Sequence, residues 1–360
     1  MGHRFLTAVG AAVAVVAIAS IARVPVAGQA PGAARSSPPQ KWTAPRADDG
    51  HPDLQGTWNA ATITPLERPE VFGSKAAVNE AEAAAYAKEF LESSSLDRRD
   101  GGPERDRSRA YPDYFTDRGT QLAWVNNAFR TSLIVDPPDG HVPPLTPEGL
   151  KRVNADQALR APSSDAGEQA GQTGKGIYDD PELRPLAERC LLSFGSSSGP
   201  PMLPVLYNNL KQIVQTRDTV MILIEMVHDA RIIRIGGEHV PQNIRKWMGD
   251  SVGRWEGETL VVDTTNFTDK TRFRGSSDKL RVTERFTRVD PKTILYRFTI
   301  DDPATFTRPW TGEYPLVAVA PQEHIYEYAC HEANYALEGI LRGARDEERR
   351  AAEAEKKGVK

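Results

Sequence analysis

Short runs of β-branched and aromatic residues, separated by turn-forming residues, fill the stretch from 207 to 328. Two connections, Arg217-Asp218 and Val227-His228-Asp229, have the length and composition of hairpin turns. No helix-length apolar pattern lies between the runs, which argues against a parallel α/β sheet. We therefore predict one curled antiparallel sheet that closes into a barrel. The predicted strands are 212–216, 219–226, 230–235, 259–267, 280–289, 293–300, 305–311 and 325–329.

The alternation within these runs predicts which side chains face the inside of the barrel, because successive side chains of a strand point to opposite faces. Glu284 falls on the apolar face of its strand, and Arg308 shares a face with Phe306 and Trp310. The apolar face of the strand between them is formed by Ile294, Tyr296, Phe298 and Ile300. A carboxylate and a guanidinium inside a small barrel need partners, so we predict that Glu284 pairs with Arg308.

The rest of the chain predicts helical and loop insertions before residue 206 and a helix after the barrel. Asn79 with Glu82 has the spacing of a helix-capping box, and Thr146 followed by Pro147 is typical of a helix start. The predicted helices are 79–91, 146 to about 161, 181–192 and 334–345, with one further strand at 130–135. We expect mobile loops at 93–109 and 161–176.

The first thirty residues have the pattern of a secretory signal peptide. Arg4 precedes an uncharged run over 5–22, and small residues follow near a cleavage site at 28–30. An uncleaved N-terminal anchor is the alternative. The expected organisation is a signal peptide at 1–30, a disordered tether at 31–50, one barrel domain at 51–345 with insertions at about 76–205, and a charged tail at 346–360. We therefore predict a periplasmic or secreted protein with no membrane span after signal removal.

Charge and cysteine content narrow the classes of partner and of compartment. The formal net charge is −4 and no basic stripe is present, which argues against nucleic acid as a partner. The chain has two cysteines, Cys190 and Cys330. An even count in an exported protein suggests a disulfide between them, and two buried free thiols are the alternative. The oligomeric state is not predicted.

Several long motifs resemble a large group of secreted, mostly uncharacterised bacterial proteins with a lipocalin-like (calycin) appearance. They are DLQGTW at 53–58, RTSLIVDPPDG at 130–140, EMVHDARII at 225–233, RWEGETLVVDTTNF at 254–267 and YEYACHE at 326–332. The Gly56-x-Trp58 pair is similar to the entrance motif of lipocalin-like barrels, in which the tryptophan plugs one end. The resemblance implies a signal peptide and a lipocalin-like barrel, and it implies no particular activity.

Three local motifs suggest chemistry that the surrounding sequence does not favour. Gly195-Ser196-Ser197-Ser198-Gly199 matches a hydrolase elbow, but Pro200 and Pro201 prevent the helix that must follow. Glu225 and His228 resemble half of a carboxylate metal site, yet residues three apart on a strand face opposite ways and no second copy exists. His228-Asp229-x-Arg231 is either a site at the barrel rim or a structural turn. We predict no metal and no cofactor.

The predicted pocket combines aromatic walls with a few polar groups. Its walls are Phe286, Tyr296, Phe298, Trp310 and Tyr326, and its polar contacts are Glu284, Arg308 and His331. The leading hypothesis is binding of a small, partly apolar molecule. The alternative is a cofactor-free lyase, hydratase, isomerase or hydrolase in which Glu284, His228 or His331 acts as the acid or base. A structural cell-envelope protein with a filled barrel is the third hypothesis.

Overall fold

The computed structural model describes residues 42–103, 106, 112–158, 178–193, 199–271, 273–320, 323–332 and 334–358. The described strands are β1 (Gly56–Asn59), β2 (Ala77–Val78), β3 (Trp124–Val125), β4 (Ala128–Arg130), β5 (Ile134–Asp136), β6 (Leu210–Gln215), β7 (Thr219–Ile224), β8 (Ala230–Ile235), β9 (Asp250–Glu256), β10 (Thr259–Thr265), β11 (Arg281–Asp290), β12 (Thr293–Asp301) and β13 (Trp310–Ala318). The described α-helices are α1 (Glu80–Ser94), α2 (Pro147–Ala158) and α3 (Tyr335–Lys356).

Nine strands form a closed β-barrel in the order β1, β6, β7, β8, β9, β10, β11, β12 and β13, and β1 pairs with β13 to close it. β5 adds to β13 outside the closed ring. Eight of the nine barrel pairings are antiparallel, but β8 and β9 are parallel. The mainly β barrel is thus confirmed and its purely antiparallel arrangement is wrong, because residues 236–249 return the chain to the end of the barrel at which β8 began.

Local hairpins were predicted well, and strands that contain glycine or proline were not. β8 has the predicted bounds, and β7, β11 and β12 differ only at their ends. The sequence pattern missed β9, which carries Gly253, and misplaced β13, which carries Gly312 and Pro315. Both residue types weaken the strand signal. Residues 325–329, predicted as a strand, form none.

The helices begin as their caps predict. Asn79 and Glu82 form the reciprocal capping box of α1, and the Thr146 hydroxyl accepts from the Gly149 N–H at the start of α2. The amphipathic helix predicted at 334–345 was expected to continue into the charged tail as frayed helix, and α3 does continue there, to Lys356. The helix predicted at 181–192 is wrong, because only a single 3₁₀ turn over Pro181–Leu183 forms there. In place of the single strand predicted at 130–135, β4 and β5 flank a break.

Several predictions concern residues outside the described ones: the signal peptide, residues 31–41 of the tether, the Ser197 motif and the loop at 161–176.

Residues 42–50, also predicted to be tether, instead contact the barrel. Ala44 is buried, Arg46 pairs with Glu258, and the side chains of Asp49 and Gln215 lie within hydrogen-bonding distance. This segment is therefore part of the folded domain.

The predicted disulfide between Cys190 and Cys330 is confirmed, with an S–S distance of 1.99 Å and a Cα–Cα distance of 5.8 Å. It joins the segment before the main run of strands to the segment after the last one. A disulfide is compatible with an oxidising compartment. None of the described helices combines the length and the apolar character needed to cross a bilayer.

Candidate functional site in the barrel interior

Aromatic side chains fill much of the barrel interior. Phe286, Tyr296, Phe298 and Trp310, four of the predicted pocket walls, have no solvent exposure. They pack against one another, with ring centroids 5.0 Å apart for Phe286 and Tyr296 and 5.9 Å apart for Phe298 and Trp310. Trp58 is also buried, as its resemblance to a barrel plug predicts, and its indole N–H donates to Leu54 O at 3.0 Å. The predicted walls therefore meet, but as a packed core.

Glu284 lies inside the barrel as predicted, but its partner is Arg231. The two guanidinium nitrogens donate to the two carboxylate oxygens at 3.0 and 2.6 Å, and the Tyr296 hydroxyl adds a third bond at 2.7 Å. Burial opposes the charge of the guanidinium, yet its carboxylate partner keeps the pKa of Arg231 above the usual range. Such bidentate pairing offsets much of the desolvation of both ions. Arg231 therefore belongs to the core and not to a rim site.

The prediction that Arg308 faces inward is wrong. Residues 305–309 precede β13 and are not a strand, so the alternation rule does not apply to them. The Arg308 side chain is 52% exposed and pairs with Asp136 at 2.8 Å on the surface. Because both partners are half in water, this pair stabilises the fold little.

The remaining predicted site residues do not join Glu284. Tyr326 is 76% exposed, so it is not a pocket wall. His331 is exposed next to the disulfide. His228 is exposed too, and its Nδ1 lies 2.8 Å from Tyr328 O, where it attaches the segment after the barrel to the turn before β8. The three predicted acid or base candidates therefore do not form one site.

An irregular segment, residues 199–206, enters the barrel and carries Met202, which is fully buried. The Met202 N–H donates to the Tyr296 hydroxyl and the Tyr314 hydroxyl donates to Met202 O, both at 3.0 Å. Burial raises the pKa of both tyrosines, so they are neutral donors. A chain of hydrogen bonds therefore runs from Arg231 through Glu284 and Tyr296 to this segment.

Lys211 is the buried charged residue that the sequence prediction missed. It lies in β6, directly opposite Trp58 on β1 and Ile224 on β7, and its exposure is 0%. Its Nζ has no hydrogen-bond partner among the described residues. Burial lowers the pKa of Lys211 from 10.5 to about 8, against the opposing effects of Glu225 and Asp117. The alternation of β6 could have located it, but the strand predicted at 212–216 began two residues after the start of β6 and left Lys211 out.

Two acids lie near Lys211, and we call Lys211, Glu225 and Asp117 the lysine cluster. Glu225 follows β7 and accepts from the Leu210 N–H at 3.1 Å. Desolvation raises the pKa of Glu225, and the neighbouring charge of Asp117 adds to this. Asp117 accepts from the backbone and side-chain nitrogens of Asn209 at 3.0 and 2.8 Å. These bonds hold both carboxyl groups next to the start of β6. The Lys211 side chain extends from this part of β6 into the barrel.

A cleft of about 500 Å³ lies near the parallel pair of β8 and β9 and is lined in part by His239, Arg254 and Asp263. The two ring nitrogens of His239 lie 3.2 Å from Asp250 and 3.1 Å from Asp263. Within the described part of the chain, no three His, Cys, Asp or Glu side chains are arranged to hold a metal ion.

Comparison with known proteins gives no assignment, since no family model, no curated protein and no solved structure matches this chain. The resemblance to secreted lipocalin-like proteins therefore stays a prediction. The barrel alone does not define an activity, because function depends on the site and not on the fold.

Proposed function

We propose that this chain is an exported, lipocalin-like protein that binds a small molecule inside its barrel. An oxygen atom of the ligand, as in a carboxylate, accepts a hydrogen bond from Lys211. The observation that carries the proposal is the Lys211 ammonium, which is fully buried and has no hydrogen-bond partner among the described residues. Buried charges in proteins are normally paired and hydrogen-bonded.

The energetics favour a ligand over a purely structural role for Lys211. Burying an ammonium group costs several kcal/mol, even after relaxation, and the charges of Glu225 and Asp117 offset only part of the cost for Lys211, since its pKa stays lowered. A methionine would fill a similar volume at this position of β6 without that penalty. A ligand oxyanion offsets the penalty directly, since ammonium–carboxylate hydrogen bonds are among the strongest in proteins.

The surroundings of Lys211 define the ligand class. Trp58 and Ile224 lie on either side of it in the sheet, and Ile213 is the next inward residue of β6. We therefore propose a small carboxylate with an apolar body. Barrels of this size hold one small ligand or are filled by side chains. We propose that the irregular segment 199–206, which is attached inside the barrel by the two tyrosine hydroxyl bonds at Met202, moves aside to admit the ligand.

The Arg231–Glu284 pair is the weaker candidate for the ligand contact. Both oxygens of Glu284 are already bonded, one to Arg231 alone and one to Arg231 and Tyr296. A ligand would have to break a buried, bidentate ion pair to reach it. We assign this pair to the architecture of the barrel and the lysine cluster to the ligand.

Calorimetry and thermal unfolding with sodium butyrate, hexanoate, octanoate and benzoate test the proposal. We expect at least one carboxylate to bind and to raise the Tm by several degrees when its concentration is about 100 times its Kd. Lys211→Met is expected to abolish the effect, and Lys292→Met, at an exposed turn between β11 and β12, is expected to retain it. Equal binding by the Lys211→Met variant would refute the proposal, and so would no binding by any of the four.

A further inference from the structure

The geometry of the lysine cluster permits covalent chemistry in addition to ionic binding. Ile224 pairs directly with Lys211, and Glu225 is the next residue along the chain. The Glu225 carboxyl is held there by the N–H of Leu210, the residue that precedes Lys211. A primary amine without a hydrogen-bond partner among the described residues and a buried carboxyl group thus lie near each other at the ends of adjacent strands. An amine nucleophile assisted by an acid of this kind reacts with carbonyl compounds.

We propose that Lys211 captures a small apolar aldehyde or ketone as a reversible imine, with Glu225 as the proton donor. This inference rests on the proposed function, since it assumes that a small molecule reaches Lys211 inside the barrel. It assigns a second ligand class, carbonyl compounds, to the site proposed for carboxylates.

The reaction balances without a cofactor or an oxidant. The Nζ lone pair of the neutral amine attacks the carbonyl carbon, the carbonyl π bond opens, and a proton moves from nitrogen to oxygen to give a carbinolamine. Glu225 then donates its proton to the hydroxyl group, which leaves as water as the C=N bond forms. The iminium product loses its nitrogen-bound proton to the Glu225 carboxylate and becomes the neutral imine. Addition of water reverses each step and releases the carbonyl compound.

The electrostatics of the cluster shift both residues towards the protonation states that the reaction requires. Burial lowers the pKa of Lys211 to about 8, so roughly a tenth of the amine is neutral at pH 7, whereas an ordinary lysine is almost fully charged there. Desolvation raises the pKa of Glu225, which increases its protonated fraction near neutral pH. Asp117 is the other charged group that acts on both residues. The apolar neighbours Trp58 and Ile224 disfavour the charged amine in the same way.

Reductive trapping on the intact folded protein tests the inference. Hexanal and benzaldehyde are added separately with sodium cyanoborohydride, which reduces an imine to a stable amine, and the products are located by intact-mass and peptide mass spectrometry. We expect a single adduct on Lys211, formed at least tenfold faster than on any other lysine. The rate should depend on pH as a bell, because Lys211 is protonated at low pH and Glu225 loses its proton at high pH. Denaturation in guanidinium should abolish the preference.

Two variants separate the proposed roles. Glu225→Gln is expected to slow trapping at Lys211 about tenfold or more, because general acids typically contribute 10²- to 10⁴-fold. Lys292→Met is expected to trap at the wild-type rate. Circular dichroism of each variant checks that it is folded, and the adduct map of the wild-type protein remains decisive if Glu225→Gln does not fold.

The outcomes distinguish this inference from the proposed function. Carboxylate binding that depends on Lys211, without selective trapping, overturns the imine and leaves the binding function intact. Adducts spread over the surface lysines also overturn the imine, because they show that Lys211 has no special reactivity. Selective trapping without carboxylate binding supports the imine and restricts the ligand class to carbonyl compounds. Failure of both experiments removes both proposals.

Discussion

At the scale of single residues, Lys211 gives the clearest link between environment and stability. Its side chain is fully inside the barrel, and burial holds its pKa at about 8 in the folded protein. In the unfolded chain a lysine titrates near 10.4. Between these two values the unfolded state binds a proton that the native state does not, so the stability of the wild-type protein rises with pH in this window. Below pH 8 the folded protein carries the full penalty of the buried ammonium.

The first prediction compares Lys211→Met with the wild-type protein across this window. At pH 7 the variant is expected to be more stable by on the order of 3 kcal/mol, because methionine removes the buried charge. The advantage should shrink as the pH rises from 8 to 10.5, as the wild-type lysine becomes neutral in both states. Guanidinium unfolding of both proteins at pH 7, 8.5 and 10 measures the difference in their free energies of unfolding. A difference that does not change with pH would contradict the assignment, and Lys292→Met provides the control.

At the scale of elements, β8 and β11 are joined by the Arg231–Glu284 pair although they are not neighbours in the sheet. The pair is buried on both sides, and Tyr296 on β12 adds a hydrogen bond. Such a pair fixes which residues face one another across the barrel. The pair affects the free energy of unfolding most when one partner is removed, since the other is then a buried, uncompensated charge.

We therefore expect Arg231→Met to lower the free energy of unfolding by about 3–5 kcal/mol. Arg308→Ala, which removes the exposed guanidinium paired with Asp136, should change it by less than about 1 kcal/mol. The double variant Arg231→Met with Glu284→Leu should recover much of the loss, because neither position of the former pair then carries a buried charge. Urea unfolding of the wild-type protein, the two single variants and the double variant measures their free energies of unfolding. A larger loss for Arg308→Ala than for Arg231→Met would reverse the assignment of the partners.

The same elements show how far the sequence could be interpreted. β7, β8, β11 and β12 were predicted because their signals are local: a period of two and a turn between the runs. β13 was misplaced because its glycine and proline resemble a break, yet a Cβ at Gly312 would lie 2.4 Å from the Phe298 ring, so glycine is required there. The inward position of Glu284 followed from alternation within one strand. Its partner did not, because barrel closure brings together residues 53 positions apart.

At the scale of the whole molecule, the barrel is closed by strands from opposite ends of the domain, β1 and β13. The insertion between β1 and β6 supplies the segment with Met202, and it also carries Cys190 and Asp117. The lysine cluster therefore forms only after the insertion has packed on the barrel. Neither hairpin signals nor composition encode that packing, which explains why the sequence predicted a barrel and did not predict the lysine cluster.

The disulfide connects this insertion to the C-terminal helix. Cys330 follows the barrel, and the Asn334 side chain at the start of α3 donates to Glu188 O at 2.8 Å, near Cys190. The described part of α3 has no fully buried residue. The bridge is therefore expected to hold α3 and the segment around Cys190 together more than it holds the barrel.

The last prediction concerns removal of this bridge by the double variant Cys190→Ser with Cys330→Ser. The bridge spans 140 residues, and the chain-entropy model gives such a loop about 5 kcal/mol of stabilisation. Guanidinium unfolding with and without a reductant should reproduce this loss in the wild-type protein and show no response to reductant in the variant. Hydrogen exchange should rise first in residues 178–193 and in α3, while β10–β12 remain protected. An equal rise in all these regions would instead mean that the bridge stabilises the barrel itself.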